Sequence, residues 1–300
     1  MSRLAFTIST QSYNRKHQLP RVYDSLKAQT FRDFEWVIVD DGSSDGTEEL
    51  VKAWQRESDF PIRYFYQQNR GKHVGFNWAV REAQGELLLS FDSDDSCVPT
   101  ALERFKYHWD AIPDKENYST LCALCMDDRG NLIGPKYPKD VVDAESFQEQ
   151  YRYRAFERWG VNRTDILRQY PFPEVGEERY APEALVWNRL SMRYKARFVN
   201  EVLRIYHYEP GDVVPAMDKR KLKSPRIARI YYSELSGMPV PAWQKVRATI
   251  NYIRWSLHAQ SSIGDVIGDT NHRLLAVSLL PAGFLVYQRD LTRQRRNQLS

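Results

Sequence analysis

Three aspartates in four residues, Asp92-Ser-Asp94-Asp95, close the apolar run Leu87-Leu-Leu-Ser-Phe91. A buried strand has no need of such an ending, and adjacent carboxylates repel one another unless positive charge sits among them. Hard oxygen ligands at the rim of a sheet suit Mg2+ or Mn2+, and through the cation a diphosphate. The plainer account is a solvated Asp-rich turn that caps the next helix. Three more polar clusters weigh against it: Thr10–Arg15, Asp40–Asp45 and Asn69–Lys72 each follow a strand-like run.

The elements that would position these clusters alternate at short spacing. Leu4–Thr10, Phe34–Val39, Ile62–Tyr66 and Glu86–Phe91 read as strands. Between them fall helices near His17–Ala28, from Ser44 or Asp45 to about Gln55, and Val74–Gln84. This order predicts an α/β fold with a mostly parallel, Rossmann-like doubly wound sheet. Ligands of such sheets bind outside the carboxyl ends of the strands, the rim to which all four polar clusters would belong. Further on, Tyr118–Met126, Arg154–Val161, Arg197–Val199 and Val202–Tyr206 are expected as strands, with a hairpin turn at Asp128–Asn131. Thr164–Gln169 reads as a short helix, and Pro182 suits the first turn of a helix reaching about Tyr194. We expect a catalytic domain over 1–215 and a helical extension over 216–300.

The chain has 300 residues, 42% hydrophobic and 27% charged, which is an ordinary globular composition. Its net charge hides an asymmetry: residues 1–190 carry 25 Lys and Arg against 31 Asp and Glu, whereas residues 191–300 carry 18 against 8. A basic final third suggests an anionic surface as partner; no nucleic-acid-binding motif accompanies it, so nucleic acid is not expected. Cys122 and Cys125 have CxxC spacing without a second pair, and Cys97 stands alone, so buried thiols in a reducing compartment are expected. No leader pattern precedes the first strand, which adds to the expectation of a cytoplasmic protein. Leu274–Tyr287 is an uncharged run of fourteen between Arg273 and Arg289, interrupted by Pro281 and Gly283. As a helix it would be too short to span a bilayer. It suits a core helix or, the preferred reading, a segment in the membrane interface held by Arg289, Arg293, Arg295 and Arg296.

Asp40-Asp-Gly-Ser-Ser-Asp-Gly-Thr47 after a strand, Asn69-Arg-Gly71 before a helix, and Phe91-Asp-Ser-Asp-Asp95 together resemble the family 2 glycosyltransferases of the GT-A fold. The resemblance covers roughly residues 4–207. It implies a nucleotide-sugar donor lying across the strand rim, with Asp41 accepting a hydrogen bond from the base, usually uracil. Thr10, Tyr13 and Arg15 would belong to the loop that walls the nucleotide, and Lys72 would counter phosphate charge. Asp92 and Asp94 form the DxD pair; among Asp92, Asp94 and Asp95, one would bind the ribose and another Mn2+ or Mg2+. Asp94, Asp95 and His207 are the expected metal set.

The same resemblance implies inverting transfer to a glycan or lipid-linked acceptor, which needs a general base at the start of a later helix. Glu183 stands six residues before Arg189, as the family's second carboxylate does, but Pro182 replaces the usual Glu. Glu177 and Glu178 therefore stay in contention, and Glu183 could also be an ordinary carboxylate at a helix N-terminus. Two other readings compete. A phosphatase with an aspartyl nucleophile shares Asp-x-Asp after an apolar strand, usually the first strand. A nucleotide-sugar-binding protein without turnover is encouraged by Pro182 alone.

Overall fold

The computed structural model describes residues 4–208, 217–270 and 272–299. The chain forms two compact units, Met1–Phe172 with Arg189–Val213, and Pro173–Asn188 with Val214–Ser300.

The first unit is built on one sheet. Its strands are β1 (Leu4–Ser12), β2 (Phe34–Asp40), β3 (Ile62–Tyr66), β4 (Gly85–Ser90), β5 (Ser96–Cys97), β6 (Tyr118–Asp127), β7 (Val141–Ala144), β8 (Arg158–Arg163) and β9 (Lys195–Tyr206). They lie in the order β3-β2-β1-β4-β8-β6-β9-β5, with β7 also on β9. The first four are parallel, as their unbroken apolar runs predict. Beyond β4 the sheet is mixed: β8 is antiparallel to both β4 and β6, β6 and β9 are parallel, and β5 and β7 run antiparallel to β9.

Helices cover both faces. Leu19, Val22 and Leu26 of α1 (Leu19–Lys27), Trp54 of α2 (Thr47–Glu57), and Phe105 and Trp109 of α4 (Ala101–Asp110) pack with Phe6, Ile8, Trp36 and Leu89. On the opposite face Val37 and Val39 meet Ala79 of α3 (Lys72–Glu82). All seven residues of β2 are buried, the price of lying between two helical layers. Short helices α5 (Phe147–Tyr153) and α6 (Thr164–Leu167) follow, and α7 spans Ala184–Ser191.

Several boundaries differ from the sequence reading for identifiable reasons. β1 runs on to Ser12 because Gln11 pairs with Val39 and Ser12 with Asp40, although both residues are polar. Residues 197–199 and 202–206 fuse into the single strand β9, and the strand expected at 154–161 lies at 158–163 behind α5. The three cysteines are buried and free, and Cys97 and Cys125 are pushed up to about 12 by burial.

Glu201 of β9 accepts hydrogen bonds from Arg104 Nε (2.8 Å) and Nη2 (2.6 Å), and lies 2.5 Å from His108 Nε2. The Arg104 guanidinium holds the Glu201 carboxyl below its ordinary range. A depressed folded pKa stabilises the protein above the unfolded value of about 4.3, and that gain is lost as pH falls through the folded pKa. Glu201→Gln should therefore cost about 1 kcal/mol at neutral pH, discounted for partial exposure. In thermal melts the deficit should shrink below about pH 4; an equal deficit at all pH values would show that charge is not its source.

The second unit is helical. It contains α8 (Met217–Leu222), α9 (Pro225–Gly237), α10 (Ala242–His258), α11 (Ile263–Gly268) and α12 (Arg273–Leu299). The expected interruption at Pro281 and Gly283 does not occur: α12 passes through both. A Cβ on Gly283 would lie 2.5 Å from Ile253 Cγ2, so glycine is what lets α12 approach α10 this closely. Farther along, Asp290 takes Arg254 Nε at 2.5 Å and Nη2 at 2.8 Å, and lies 3.0 Å from His258 Nε2. These contacts hold both halves of α12 in line. Its other side exposes Leu274 (89%), Val277, Phe284 and Leu285 (69%). By length and composition α12 is apolar enough to cross a membrane.

Candidate active site

The loops after β1, β2 and β3 are tied to one another. Asn14, in the left-handed conformation at φ 51°, donates its backbone N–H to Ser43 Oγ (2.8 Å) and accepts from Ser44 N–H through Oδ1 (2.9 Å). Lys16 N–H donates to Asp45 Oδ2 (2.9 Å). Asp41 is buried, and its carboxylate accepts from Gln67 Nε2 (2.7 Å), Arg70 N–H (2.8 Å) and Gly71 N–H (2.9 Å). A carboxylate offers about four acceptor positions, so about one stays open. Gly71, at φ 95° and ψ 152°, adopts a backbone that only glycine enters readily and leads directly into α3.

The acidic run after β4 is matched by cations. Asp92 takes Lys72 Nζ at 2.6 Å and Arg204 Nη2 at 2.7 Å. Burial pushes its carboxyl up, but Lys72 and Arg204 outweigh burial and hold it well below the usual carboxylate range. Asp95 is 1% exposed; Oδ2 takes Arg204 Nε at 2.7 Å and Oδ1 accepts His207 N–H at 3.1 Å. Asp94 is looser, with Arg15 Nη1 3.8 Å from Oδ2. Burial, then the charge of Asp92, pushes the Asp94 carboxyl up against the pull of Arg15. His207 Nε2 lies 2.8 Å from Ser96 Oγ. Arg15, Lys72, Asp92, Asp94, Asp95 and His207 thus come together at one rim.

One placement is corrected. Thr10 lies in β1 and not in a loop: it is fully buried, and its hydroxyl accepts the Trp36 indole N–H at 3.0 Å. Tyr13, past the end of β1, stays 50% exposed. Both Asp95 oxygens accept hydrogen bonds, from Arg204 and from His207 N–H.

Among the base candidates, Glu178 is buried and accepts from Arg226 N–H (3.0 Å) and Ile227 N–H (2.8 Å) at the start of α9. That is a helix-capping task. Glu183 and Glu177 are exposed. Glu183 directly precedes α7, and its carbonyl accepts Val186 N–H at 3.1 Å.

Residues 7–116 match the model of Glycosyl transferase family 2. Over 220 residues the chain is 28% identical to the GalNAc(5)-diNAcBac-PP-undecaprenol beta-1,3-glucosyltransferase of Campylobacter jejuni, covering 71% of this chain and 67% of that one. Over residues 7–116 the chain is similar to glycosyltransferase family 2. It spans two thirds of that relative and less than half of the other first curated relatives. The fold is that of S. aureus TarS 1-349, solved with UDP-GlcNAc (TM-score 0.61, 17% identity, 93% of this chain and 80% of that one). It is also that of the mannosyltransferase PcManGT of Pyrobaculum calidifontis, solved with GDP-Man and Mn2+ (TM-score 0.57, 16% identity, 98% and 85%).

Among the described residues there is no group of three His, Cys, Asp or Glu side chains ready for a metal. The donor set still fits a cation that arrives with a diphosphate. Mg2+-type ions commonly use one or two carboxylates, with phosphate and water completing the shell. Asp94 is the carboxylate of the run least engaged by neighbours. Arg204 is the functional residue that sequence reasoning passed over. No local signal marks it, because it lies 109 residues from Asp95 along the chain.

Proposed function

We propose that the chain transfers a sugar, with inversion, from a nucleotide-diphosphate donor to a hydroxyl of a glycan or lipid-linked acceptor in cell-surface polysaccharide synthesis. The observation that carries this reading is the rim itself: buried Asp41 fixing the 67–71 loop, beside Lys72 and the Asp92–Asp95 run. Asp41 has an acceptor position left for a base N–H, and the exposed Tyr13 ring suits stacking on the base. The UDP-GlcNAc bound by TarS and the undecaprenol-linked acceptor in the Campylobacter enzyme's name support a uridine donor and a lipid-linked acceptor.

In this reading Asp94 and His207 would hold Mn2+ or Mg2+, and Asp92 would receive the ribose. The metal supplies charge stabilisation for the departing nucleoside diphosphate. Lys72, at the start of α3, meets phosphate oxygens, where helix N–H groups favour anions. Glu183 takes the proton from the acceptor hydroxyl, and the hydroxyl's oxygen bonds the anomeric carbon as the bond to phosphate breaks and the nucleoside diphosphate leaves. Calorimetric titration of UDP, GDP and their sugars, with and without Mn2+, tests the donor site. Metal-dependent binding of one nucleotide is expected, and no binding of any would end this reading. Binding without transfer across a broad acceptor panel would favour a silent binding protein.

The exposed side of α12 supports a location on an anionic membrane, cytoplasmic in orientation. Leu274, Val277, Phe284 and Leu285 offer apolar area, and Arg289, Arg293, Arg295 and Arg296 follow within the same helix. Burying a leucine side chain is worth about 1.5–3 kcal/mol, so Leu274→Glu with Leu285→Glu should weaken binding to phosphatidylglycerol vesicles at least about tenfold. Cosedimentation unchanged by both substitutions would remove the membrane from the proposal.

A further inference from the structure

The rim bears aromatic rings on the far side of the acidic run. β8 is antiparallel to both β4 and β6, and β9 is parallel to β6. Phe156-Glu157, which leads into β8, and His207-Tyr208, which leaves β9, therefore emerge at the edge where Asp92–Asp95 follows β4. Direct contacts agree: Arg204 reaches Asp92 Oδ2 (2.7 Å) and Glu157 Oε1 (3.3 Å), and His207 N–H donates to Asp95 Oδ1 (3.1 Å). Two residues on from Arg204, the half-buried Tyr206 sets its ring 5.5 Å from the guanidinium. Burial, and then the charges of Asp95, Glu157 and Asp94, push the Tyr206 phenol up. Two residues further, Tyr208 packs on Tyr206 with ring centroids 4.7 Å apart and planes tilted by 55°. Tyr208 nevertheless stays 64% exposed, and no large apolar or aromatic side chain described in the first unit is more exposed. One exposed ring is ordinary on any protein surface; its place beside the acidic run is not. A ring held by its neighbour has also given up part of its freedom before a ligand arrives.

We propose that Tyr208, backed by Tyr206, is a stacking platform for a pyranose ring of the acceptor, and that Glu157 accepts hydroxyl hydrogen bonds from the same sugar. One face of a pyranose presents C–H groups of partial positive charge, and the face of an aromatic ring is the negative part of its quadrupole. The ring's hydroxyls need acceptors, which the exposed Glu157 carboxylate supplies. Position favours the acceptor over the donor. Tyr13, Asp41 and Lys72, the nucleotide contacts of the reading above, follow β1, β2 and β3, whereas in the order β3-β2-β1-β4-β8-β6-β9 the two tyrosines lie beyond β4. A sugar stacked there meets the donor from the side away from its base. This inference rests on the transferase reading above.

The probes are the methyl glycosides of glucose, galactose, N-acetylglucosamine and N-acetylgalactosamine, followed by saturation-transfer NMR on the full chain with and without UDP and Mg2+. At least one glycoside should bind the wild type, with saturation strongest on the C–H hydrogens of one ring face. Tyr208→Ala should weaken that binding at least about fivefold, and Tyr208→Trp should keep it, because a larger ring preserves the stack. Glu157→Gln should weaken it by a similar factor and leave the ring-face pattern intact. UDP binding should be the same in all three variants. A tyrosine that only packs on Tyr206 would give no ring-face pattern and no rescue by Trp. No glycoside binding to the wild type, or binding unchanged in Tyr208→Ala, would overturn the platform. If calorimetry showed Tyr208→Ala binding UDP-GlcNAc more weakly with UDP unaffected, the ring would belong to the donor's sugar, and the acceptor assignment would fall. Failure of the wild type to bind UDP would overturn the donor-site reading, while glycoside binding lost in Tyr208→Ala would still stand.

Discussion

Asp94→Asn should lower sugar transfer at least about 100-fold, because the metal it would hold supplies several kcal/mol of stabilisation to the leaving diphosphate and each 1.36 kcal/mol is tenfold in rate. Asn keeps the shape of Asp and loses the charge. Among the described residues Asp94 has Arg15 at 3.8 Å and an Arg21 hydrogen bond to its backbone carbonyl, so its side chain carries little of the structure. The melting temperature should therefore stay within a few degrees of the wild type, and Mn2+-dependent binding of UDP should disappear. Asp92→Asn makes a useful contrast, since Asp92 is ion-paired to both Lys72 and Arg204 and its loss should lower stability as well. Full activity of Asp94→Asn would show that Asp94 is not the metal-holding carboxylate.

Glu183→Gln should reduce kcat by about 100- to 10,000-fold, the usual contribution of a positioned general base, with UDP binding unchanged. The amide cannot accept the acceptor's proton, and the side chain is exposed. Glu177→Gln, equally exposed, should stay near wild-type rate. An unimpaired Glu183→Gln enzyme alongside a crippled Glu177→Gln enzyme would reassign the base.

The parallel half of the sheet was legible because β1 to β4 are largely apolar runs of strand length separated by helical spacing. The four polar clusters at its rim followed from that register. β5 and β7, of two and four residues, are too short to leave a periodic signal, and the mixed half of the sheet stayed partly hidden. Thr10 was misplaced because its polar neighbours Gln11 and Ser12 look like loop, whereas hydrogen bonding to β2 extends the strand through them. Pro281 suggested a break that contacts from α10 override. The partition of roles within Asp92–Asp95 could not be read at all. Arg204, which pairs with Asp92 and Asp95, reaches them only from β9.

The cross-ties among the rim loops also bear on time rather than strength. Asn14 with Ser43 and Ser44, Lys16 with Asp45, and Asp41 with Arg70 and Gly71 join segments about thirty residues apart in the chain. Loops held in this way lose little conformational freedom when a nucleotide lands on them, and less of the interaction is spent on ordering them. A nucleotide bound there as proposed would meet a surface already in shape, so its encounter would be governed by diffusion and charge, and its residence by how long its contacts with Lys72 last. In that reading a rigid floor would place the slow step in letting the spent nucleotide go.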